Sequence, residues 1–149
     1  MNTRKVMPTT YLLVALLAIL LLNFLMPIIR IIPSPWNAIG VIFLLAGLLI
    51  NLRADRLFHR AGTTVKPHTE SSVLVTGDVF RFSRNPMYLG FALLLTGVAL
   101  LLGALTPFLV IPIFVALIEV IFIRAEEKML AQTFGQVYLD YRKQVRRWL

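Results

Sequence analysis

Cysteine is absent from the 149 residues of this chain, and acidic residues and histidines are few. Without cysteine there is no disulfide, no thiolate nucleophile, no iron–sulfur cluster and no cysteine-ligated zinc. Only 15% of the residues are charged, against about 25% in soluble domains. Hydrophobic residues make up 58% and the mean hydropathy is +0.81, while 15 Lys and Arg outnumber 7 Asp and Glu. These values exclude an ordinary soluble domain and indicate a small, basic membrane protein.

Four apolar stretches approach the ~20 residues that a helix needs to cross a bilayer. They are residues 11–26, 37–52, 87–105 and 107–123. The runs are continuous rather than alternating, so they favour helices over barrel strands. Residues 103–107, Gly-Ala-Leu-Thr-Pro, predict a tight turn between the last two stretches. The sequence therefore predicts an all-α polytopic protein with four transmembrane helices, and residues 1–149 form a single domain.

The distribution of basic residues predicts the orientation in the membrane. If the chain crosses four times, 14 of its 15 Lys and Arg residues fall on one side and only Arg30 falls on the other. The positive-inside rule then places both termini in the cytoplasm, with the protein in the inner cell membrane. No small-residue cleavage site follows Met26, which predicts that the first helix is retained. We attribute the basic excess to anionic lipids of the bilayer and predict no nucleic-acid partner.

Two long segments flank the last pair of predicted spans. Residues 53–86 and 124–149 fall on the same predicted side of the membrane and carry many apolar residues, so we expect them to fold together as a cap. In the second segment, Phe134-Gly135 predicts a helix end with Gly135 as the cap. A short helix with Tyr138 and Tyr141 on its apolar face should follow and lie along the membrane surface.

These two segments also carry an ordered pair of motifs. Residues 74–77 are Leu-Val-Thr-Gly and residues 80–90 are Phe-Arg-Phe-Ser-Arg-Asn-Pro-Met-Tyr-Leu-Gly. Residues 126–148 carry Glu-Glu-x-x-Leu, Phe-Gly-x-x-Tyr-x-x-Tyr and Val-Arg-Arg-Trp. Over residues 73–148 the pattern resembles the isoprenylcysteine carboxyl methyltransferase and phospholipid methyltransferase superfamily. The resemblance implies a membrane enzyme that transfers a methyl group from S-adenosylmethionine to a lipophilic or small acceptor entering between the helices.

The resemblance also implies a set of cofactor-binding positions. They are Ser72, Val73, Leu74, Val75, Phe80, Arg84, Asn85, Pro86, Met87, Tyr88, Glu126 and Glu127. Among them, residues 72–75 correspond to the adenosine end and Glu126 corresponds to the cofactor-binding acid. The acceptor-side arginine of the prenylcysteine enzymes falls near Phe122, and the nearest arginine here is Arg124.

Physical chemistry supports the acidic positions independently. A carboxylate at the membrane boundary is costly unless it meets a cation or several donors. The ammonium and the ribose hydroxyls of S-adenosylmethionine would supply such partners to Glu126 and Glu127. The helix that begins near Pro86 offers free N–H groups to the cofactor's carboxylate. Pairing of the two glutamates with Lys128 and Arg124 at a lipid headgroup, and a membrane-anchoring role for Arg84, are the alternatives.

Glu119 lies inside the fourth predicted span, and an intramembrane carboxylate is a candidate functional residue. It precedes Glu126 by seven residues, so the two should face the same way on a helix. We expect Glu119 to line the acceptor pocket near Asn23 or Asn51 and group it with Arg124 as a candidate catalytic residue. The alternative is a structural hydrogen bond to a neighbouring helix.

Other functions are compatible with parts of this sequence. A four-helix proton-coupled exporter would use Glu119, but its loops would be shorter than the 34 residues of segment 53–86. A nicotinamide-dependent membrane reductase and an inactive scaffold are further alternatives. The pairs Gly40 and Gly47, and Gly90 and Gly97, predict close helix packing. The sequence identifies neither the acceptor nor the oligomeric state.

Overall fold

The computed structural model describes residues 7–26, 28–62 and 73–149, and the regular elements in these ranges are all helices. Three helical stretches are long and apolar enough to cross a membrane, judged by length and composition. They are Pro8–Leu25, Trp36–Arg60 and Thr106–Phe134. A shorter apolar helix, Pro86–Leu102, has 17 residues. The all-α prediction is confirmed, and the number of membrane crossings stays a prediction.

The first three α-helices begin and end where the local sequence favours it. They are α1 (Pro8–Leu25), α2 (Gly40–Arg60, after a 3₁₀ turn at Trp36–Ile39) and α3 (Pro86–Leu102). Pro8 and Pro86 occupy first-turn positions, where the missing N–H costs nothing and the fixed φ suits a helix. α3 ends at Gly103, which has a φ of +71° and donates its N–H to the carbonyl of Ala99.

The last part of the chain forms one helical stretch with an irregular middle. A 3₁₀ turn at Thr106–Leu109 leads into α4 (Val110–Ile118), a π turn follows at Glu119–Ile123, and α5 spans Arg124–Phe134. Gly135, with a φ of +53°, ends α5, and α6 spans Gln136–Gln144. The predicted stop at Gly135 is therefore confirmed.

Two helices extend beyond their apolar runs. α2 continues eight residues past Leu52 to Arg60, which the sequence did not predict, and the fourth helical stretch continues past Ile123 to Phe134, as predicted. An apolar run marks only the part of a helix that can contact lipid. Charged residues such as Arg53 and Glu126 end the run without ending the helix, because Arg and Glu are good helix formers.

α2 and α3 pack antiparallel through the predicted glycine pairs. A Cβ on Gly40 would lie 2.5 Å from the carbonyl oxygen of Gly97, and one on Gly47 would lie 2.6 Å from that of Gly90. Only glycine allows two backbones to approach this closely. The predicted packing role of these four glycines is confirmed.

The other face of α3 belongs to the main hydrophobic core. α1, α3, α4 and the π turn contribute its buried side chains, which include Ile19, Leu95, Phe114, Ile118 and Phe122. α3 is thus central, with α2 on one side and α1 and α4 on the other. This placement holds both ends of α3 against other parts of the chain.

At the C-terminal end of α3, two connections meet, and we call residues 28–37 and 101–109 the turn end. The backbone N–H of Ile31 donates to the carbonyl of Gly103 at 2.8 Å, and that of Leu105 donates to the carbonyl of Ile29 at 3.0 Å. Asn37 Nδ2 donates to the carbonyl of Leu101 at 2.9 Å. The predicted tight turn at residues 103–107 is confirmed, although α3 stops at Leu102 rather than at residue 105.

Candidate active site

The N-terminal end of α3 brings together the two segments that carry the sequence motifs. We call residues 80–88, 119–127 and 147–148 the charged end. The backbone N–H of Arg84 donates to the carbonyl of Arg146 at 3.0 Å, and the Tyr141 hydroxyl donates to the carbonyl of Phe80 at 2.6 Å. The segments predicted to form a cap therefore contact each other, although they are some 60 residues apart in the chain.

Glu126, on the first turn of α5, reaches across to α3. Tyr88 is a buried residue, 7% exposed, and its hydroxyl donates to Glu126 Oε1 at 2.7 Å. Among residues 7–26, 28–62 and 73–149, no Lys, Arg or His lies within 4.0 Å of this carboxylate, and its Oε2 accepts no hydrogen bond. Glu126 is half-buried, and its Oε2 retains the capacity to accept hydrogen bonds.

Glu127, the next residue, has very different surroundings. It is 7% exposed, and two guanidinium groups contact it. Arg147 holds it in a fork, from Nε to Oε1 at 3.0 Å and from Nη2 to Oε2 at 2.7 Å. Arg84 Nη1 lies 3.2 Å from Glu127 Oε1, and both of those side chains are below 10% exposure. With Glu119, the second acid that Arg147 contacts, two arginines and two glutamates balance in charge, which is the condition under which buried charges are tolerated.

Glu119 is also held by the C-terminal segment. Arg147 Nη1 donates to its Oε1 at 2.9 Å, Arg124 Nη2 donates to the same oxygen at 3.3 Å, and the Trp148 side chain donates a further hydrogen bond. The expected neighbours Asn23 and Asn51 make no hydrogen bond to it within the part of the chain that the structure describes. Asn51 Nδ2 donates instead to the carbonyl of Gly47 on its own helix.

Because of the π turn, Glu119 and Glu126 do not lie on the same face of the helical stretch. A π turn is wider than an α turn, so residues on its two sides lose the seven-residue register. Glu119 shares Arg147 with Glu127, whereas Glu126 turns towards Tyr88. The expectation that Glu119 and Glu126 face the same way is therefore wrong.

The residues before α3 form a tight junction with the chain's last residues. Asn85 is at the N-cap of α3, but its side chain makes no cap and Nδ2 donates instead to the carbonyl of Arg147 at 3.1 Å. Ser83 Oγ donates to the same carbonyl at 3.2 Å and accepts the backbone N–H of Asn85 at 3.1 Å. The first-turn N–H groups of α3 thus have no side-chain cap.

The other predicted positions have varied surroundings. Phe80 is buried and packs edge-on against Phe58 at 5.3 Å between ring centroids, and Pro86 is fully buried. Met87 is half-buried, and residues 73–75 are irregular backbone with Val73 44% exposed. No hydrogen bond among the described residues joins residues 73–75 to Glu126. Ser72 lies outside the described residues.

Tyr138 and Tyr141 of the short helix contact residues of the charged end, and the predicted position of this helix along the membrane surface stays a prediction. Tyr138 is 1% exposed, and Arg84 Nη1 lies 3.5 Å from its hydroxyl. Burial, and after it the Glu127 carboxylate, raises the pKa of Tyr138. Burial and the neighbouring Tyr138 raise the pKa of Tyr141 to about 12. Both hydroxyls are therefore neutral at physiological pH.

Sequence reasoning missed Ser83 and Arg147 as members of this site. Ser83 lies inside the motif of residues 80–90, which was the available signal for it. Arg147 belongs to a basic run whose charge was attributed to membrane lipids. Nothing local distinguishes Arg147 from Arg146, which is exposed, because the difference arises from contacts with residues 20 or more positions away.

An aromatic group lies on the core side of Glu126. The ring of Tyr88 is 6.3 Å from that of Phe122 and 6.4 Å from that of Phe91, and Tyr11 packs edge-on against Phe122 at 5.4 Å. α1 thus reaches the site through Tyr11. The site has a charged, hydrogen-bonding side and an apolar, aromatic side.

These features fit the groups of S-adenosylmethionine. Glu126 Oε2 is a spare acceptor for an ammonium or for ribose hydroxyls, and the uncapped N-terminus of α3 offers donors. Arg84 Nε is buried and has no hydrogen-bond partner among the residues described. A buried donor without a partner is uncommon in proteins, and an anionic group of a ligand would satisfy it.

The fold and the site together define a helical membrane protein with a polar, ligand-competent junction at one end of its helices. A family model described as phospholipid methyltransferase matches residues 36–137. The chain therefore belongs to the phospholipid methyltransferase family, and the resemblance to that superfamily is confirmed.

A solved structure has the same fold. It is titled the eukaryotic intramembrane Ras methyltransferase, isoprenylcysteine carboxyl methyltransferase. The TM-score is 0.66 and the identity is 24%; the match covers 95% of this chain and 51% of that chain. This protein therefore spans about half the length of that relative. A search of curated proteins finds no significant match.

Proposed function

We propose that this protein transfers a methyl group from S-adenosylmethionine to a lipophilic or small acceptor. The observation that carries the proposal is the Tyr88–Glu126 pair, which joins the two family motifs and leaves one carboxylate oxygen without a hydrogen bond from the described residues. Membership of the phospholipid methyltransferase family supports this function over an exporter or a nicotinamide-dependent reductase. Glu119 is held by two arginines, which does not favour its use as a proton-coupled acid.

In this proposal the cofactor lies at the charged end, between the start of α3 and the start of α5. Glu126 accepts from its ammonium or ribose hydroxyls, and Tyr88 orients that carboxylate. Arg84 Nε and the first-turn N–H groups of α3 donate to its carboxylate. Asn85, Pro86 and Met87 shape this helix start, while Phe80 and residues 72–75 serve the adenosine end.

When bound, S-adenosylmethionine supplies a methyl group whose carbon–sulfur bond breaks as a lone pair of the acceptor forms the new bond, and the sulfur keeps the bonding electrons. The chain's own residues contribute position and exclusion of water, which are the main requirements of such a displacement. Tyr88, Phe91 and Phe122 form the apolar boundary of the site. The buried cluster around Glu127 fixes the position of this apolar boundary relative to the polar groups of the site.

The acceptor enters laterally between the helices from the bilayer. Glu119 and Arg124 lie on its side of the site, where the Arg124 side chain is 62% exposed and that of Glu119 is 24% exposed. The protein spans the inner cell membrane with both termini on the cytoplasmic side, so the charged end meets the cytoplasmic cofactor pool. The basic residues of this end favour the same side.

Calorimetric titration of the purified protein with S-adenosylhomocysteine tests the proposal. Glu126→Gln should weaken binding at least about tenfold, because a hydrogen bond to a charged group contributes roughly 1.5–3 kcal/mol. Asp140→Asn is the matched control, since this exposed aspartate pairs only with groups on its own helix. Absence of binding by the wild-type protein, or equal binding by the Glu126→Gln variant, would contradict the proposal.

A further inference from the structure

Arg147 uses its whole guanidinium group to join two glutamates from different parts of the last helical stretch. Nε and Nη2 donate to the two oxygens of Glu127 at 3.0 and 2.7 Å, and Nη1 donates to Glu119 at 2.9 Å. The π turn lies between these two glutamates. Arg147 therefore bridges the irregular segment that connects α4 to α5.

The backbone around Arg147 makes a second set of contacts, to the loop before α3. Its carbonyl accepts from Ser83 Oγ and from Asn85 Nδ2, and the carbonyl of Arg146 accepts from the N–H of Arg84. One residue thus connects the start of α3 with the start of α5. These are the two elements whose separation determines the width of the proposed cofactor site.

Arg147 itself does not touch Glu126. Glu126 and Glu127 are adjacent on α5 and face different partners, Tyr88 and the arginine pair. A rotation or shift of α5 that released Glu127 would move Glu126 away from Tyr88. The π turn makes such a shift feasible, because it interrupts the regular hydrogen bonding of the helix.

We propose that Arg147 is a positioning residue that fixes α5 against the loop before α3 and so sets the cofactor affinity of Glu126. This inference rests on the proposed function. The proposed role requires an arginine. The planar guanidinium group forms two hydrogen bonds to one carboxylate, while its third nitrogen reaches a second carboxylate. A lysine at this position offers a single ammonium and holds only one of the two carboxylates at good geometry.

The test compares Arg147→Lys and Arg147→Ala with Arg146→Ala in S-adenosylhomocysteine titrations. Arg146 carries the same charge, its side chain is exposed, and its contact with Arg84 is made by the backbone carbonyl. We expect Arg147→Lys to weaken binding about tenfold and Arg147→Ala to weaken it further, with Arg146→Ala close to wild type. Added ethylguanidinium should restore affinity to Arg147→Ala and leave the wild type unchanged.

A purely structural role gives a different result. Loss of folded protein lowers the binding stoichiometry and the melting temperature but leaves the affinity of the remaining folded protein unchanged. Wild-type affinity in Arg147→Lys, or an Arg147→Ala variant altered only in stoichiometry, overturns the inference while the proposed function stands. Failure of the wild-type protein and of Arg146→Ala to bind overturns the proposed function, and the inference with it.

Discussion

The two ends of α3 are both held against distant parts of the chain, but by different groups. At the turn end, peptide groups of residues 29–31 bond those of residues 103–105. At the charged end, the contacts come from carboxylates, guanidinium groups and tyrosine hydroxyls. Peptide groups that pair with each other have little capacity left for a ligand. Charged side chains retain such capacity, as Glu126 Oε2 and Arg84 Nε illustrate, since neither has a hydrogen-bond partner in the part of the chain that the structure describes.

The turn end and the charged end also differ in the free-energy cost of burying their polar groups. Backbone hydrogen bonds at the turn end satisfy groups that every chain carries, so they stabilise without a large desolvation penalty. A buried cluster such as Arg84–Glu127–Arg147 carries a desolvation penalty that its own attraction only roughly offsets. Because this cluster adds little net stability, we infer that its main role is to position α5 against the loop before α3 rather than to drive folding. The turn end should therefore affect stability alone, and the charged end both stability and binding.

The largest expected effect is at the charged end. Glu127→Ala leaves the buried Arg84 without its carboxylate partner, and we expect the free energy of unfolding to fall by ~3–5 kcal/mol. Denaturant titration in detergent measures this change. Asp140→Ala, which removes an exposed acid of α6, is the control and should have no measurable effect. A stability loss in Glu127→Ala no larger than that of the control would show that the cluster is not buried.

A smaller effect is expected at the turn end. Gly103 has a φ of +71°, and a Cβ there would lie 2.4 Å from the carbonyl oxygen of Ile32. Gly103→Ala should cost at least ~1–2 kcal/mol of stability, with unchanged affinity of the folded protein for S-adenosylhomocysteine. Gly77→Ala is the matched control, since its φ is −90° and no atom lies near its Cβ position. Weakened binding in Gly103→Ala would remove the distinction between the two ends.

The smallest effect concerns a single hydrogen bond. Tyr141→Phe removes the donor to the carbonyl of Phe80, and we expect a loss of ~0.5–1.5 kcal/mol at neutral pH. The pKa of Tyr141 is about 12 in the folded protein against an ordinary value of 10. Between these values the unfolded chain binds fewer protons, so the free energy of unfolding falls as pH rises.

Unfolding measured from pH 9 to 12 checks this prediction. The wild-type protein should lose stability more steeply with rising pH than Tyr141→Phe. Parallel pH profiles of the two proteins would mean that Tyr141 is exposed to solvent.

The comparison also shows which features local sequence determines. Proline at a helix start and glycine at a helix stop act within one turn, and Pro86 and Gly135 were predictable for that reason. The glycine pairs of α2 and α3 were predictable from their equal spacing. The π turn at Glu119–Ile123 was not, because nothing in its apolar sequence marks it.

At the candidate site, the family motifs predicted that Tyr88 and Glu126 belong to one site, but they did not predict that the two residues contact each other. The role of Arg147 depends on where α6 returns the chain, which no local pattern specifies. The charged residues 53–60 were assigned to a loop, although they belong to α2. Hydropathy distinguishes membrane-embedded from water-exposed segments, but it does not distinguish a helix from a loop.

Ultraviolet crosslinking of radiolabelled S-adenosylmethionine to the purified protein, with mass spectrometric mapping, tests the central claim most directly. We predict label on peptides from residues 72–88 and 119–148, displaced by unlabelled S-adenosylhomocysteine. Label on residues 28–37 or 101–109 instead, or label that the competitor does not displace, would contradict the assignment of the charged end as the cofactor site.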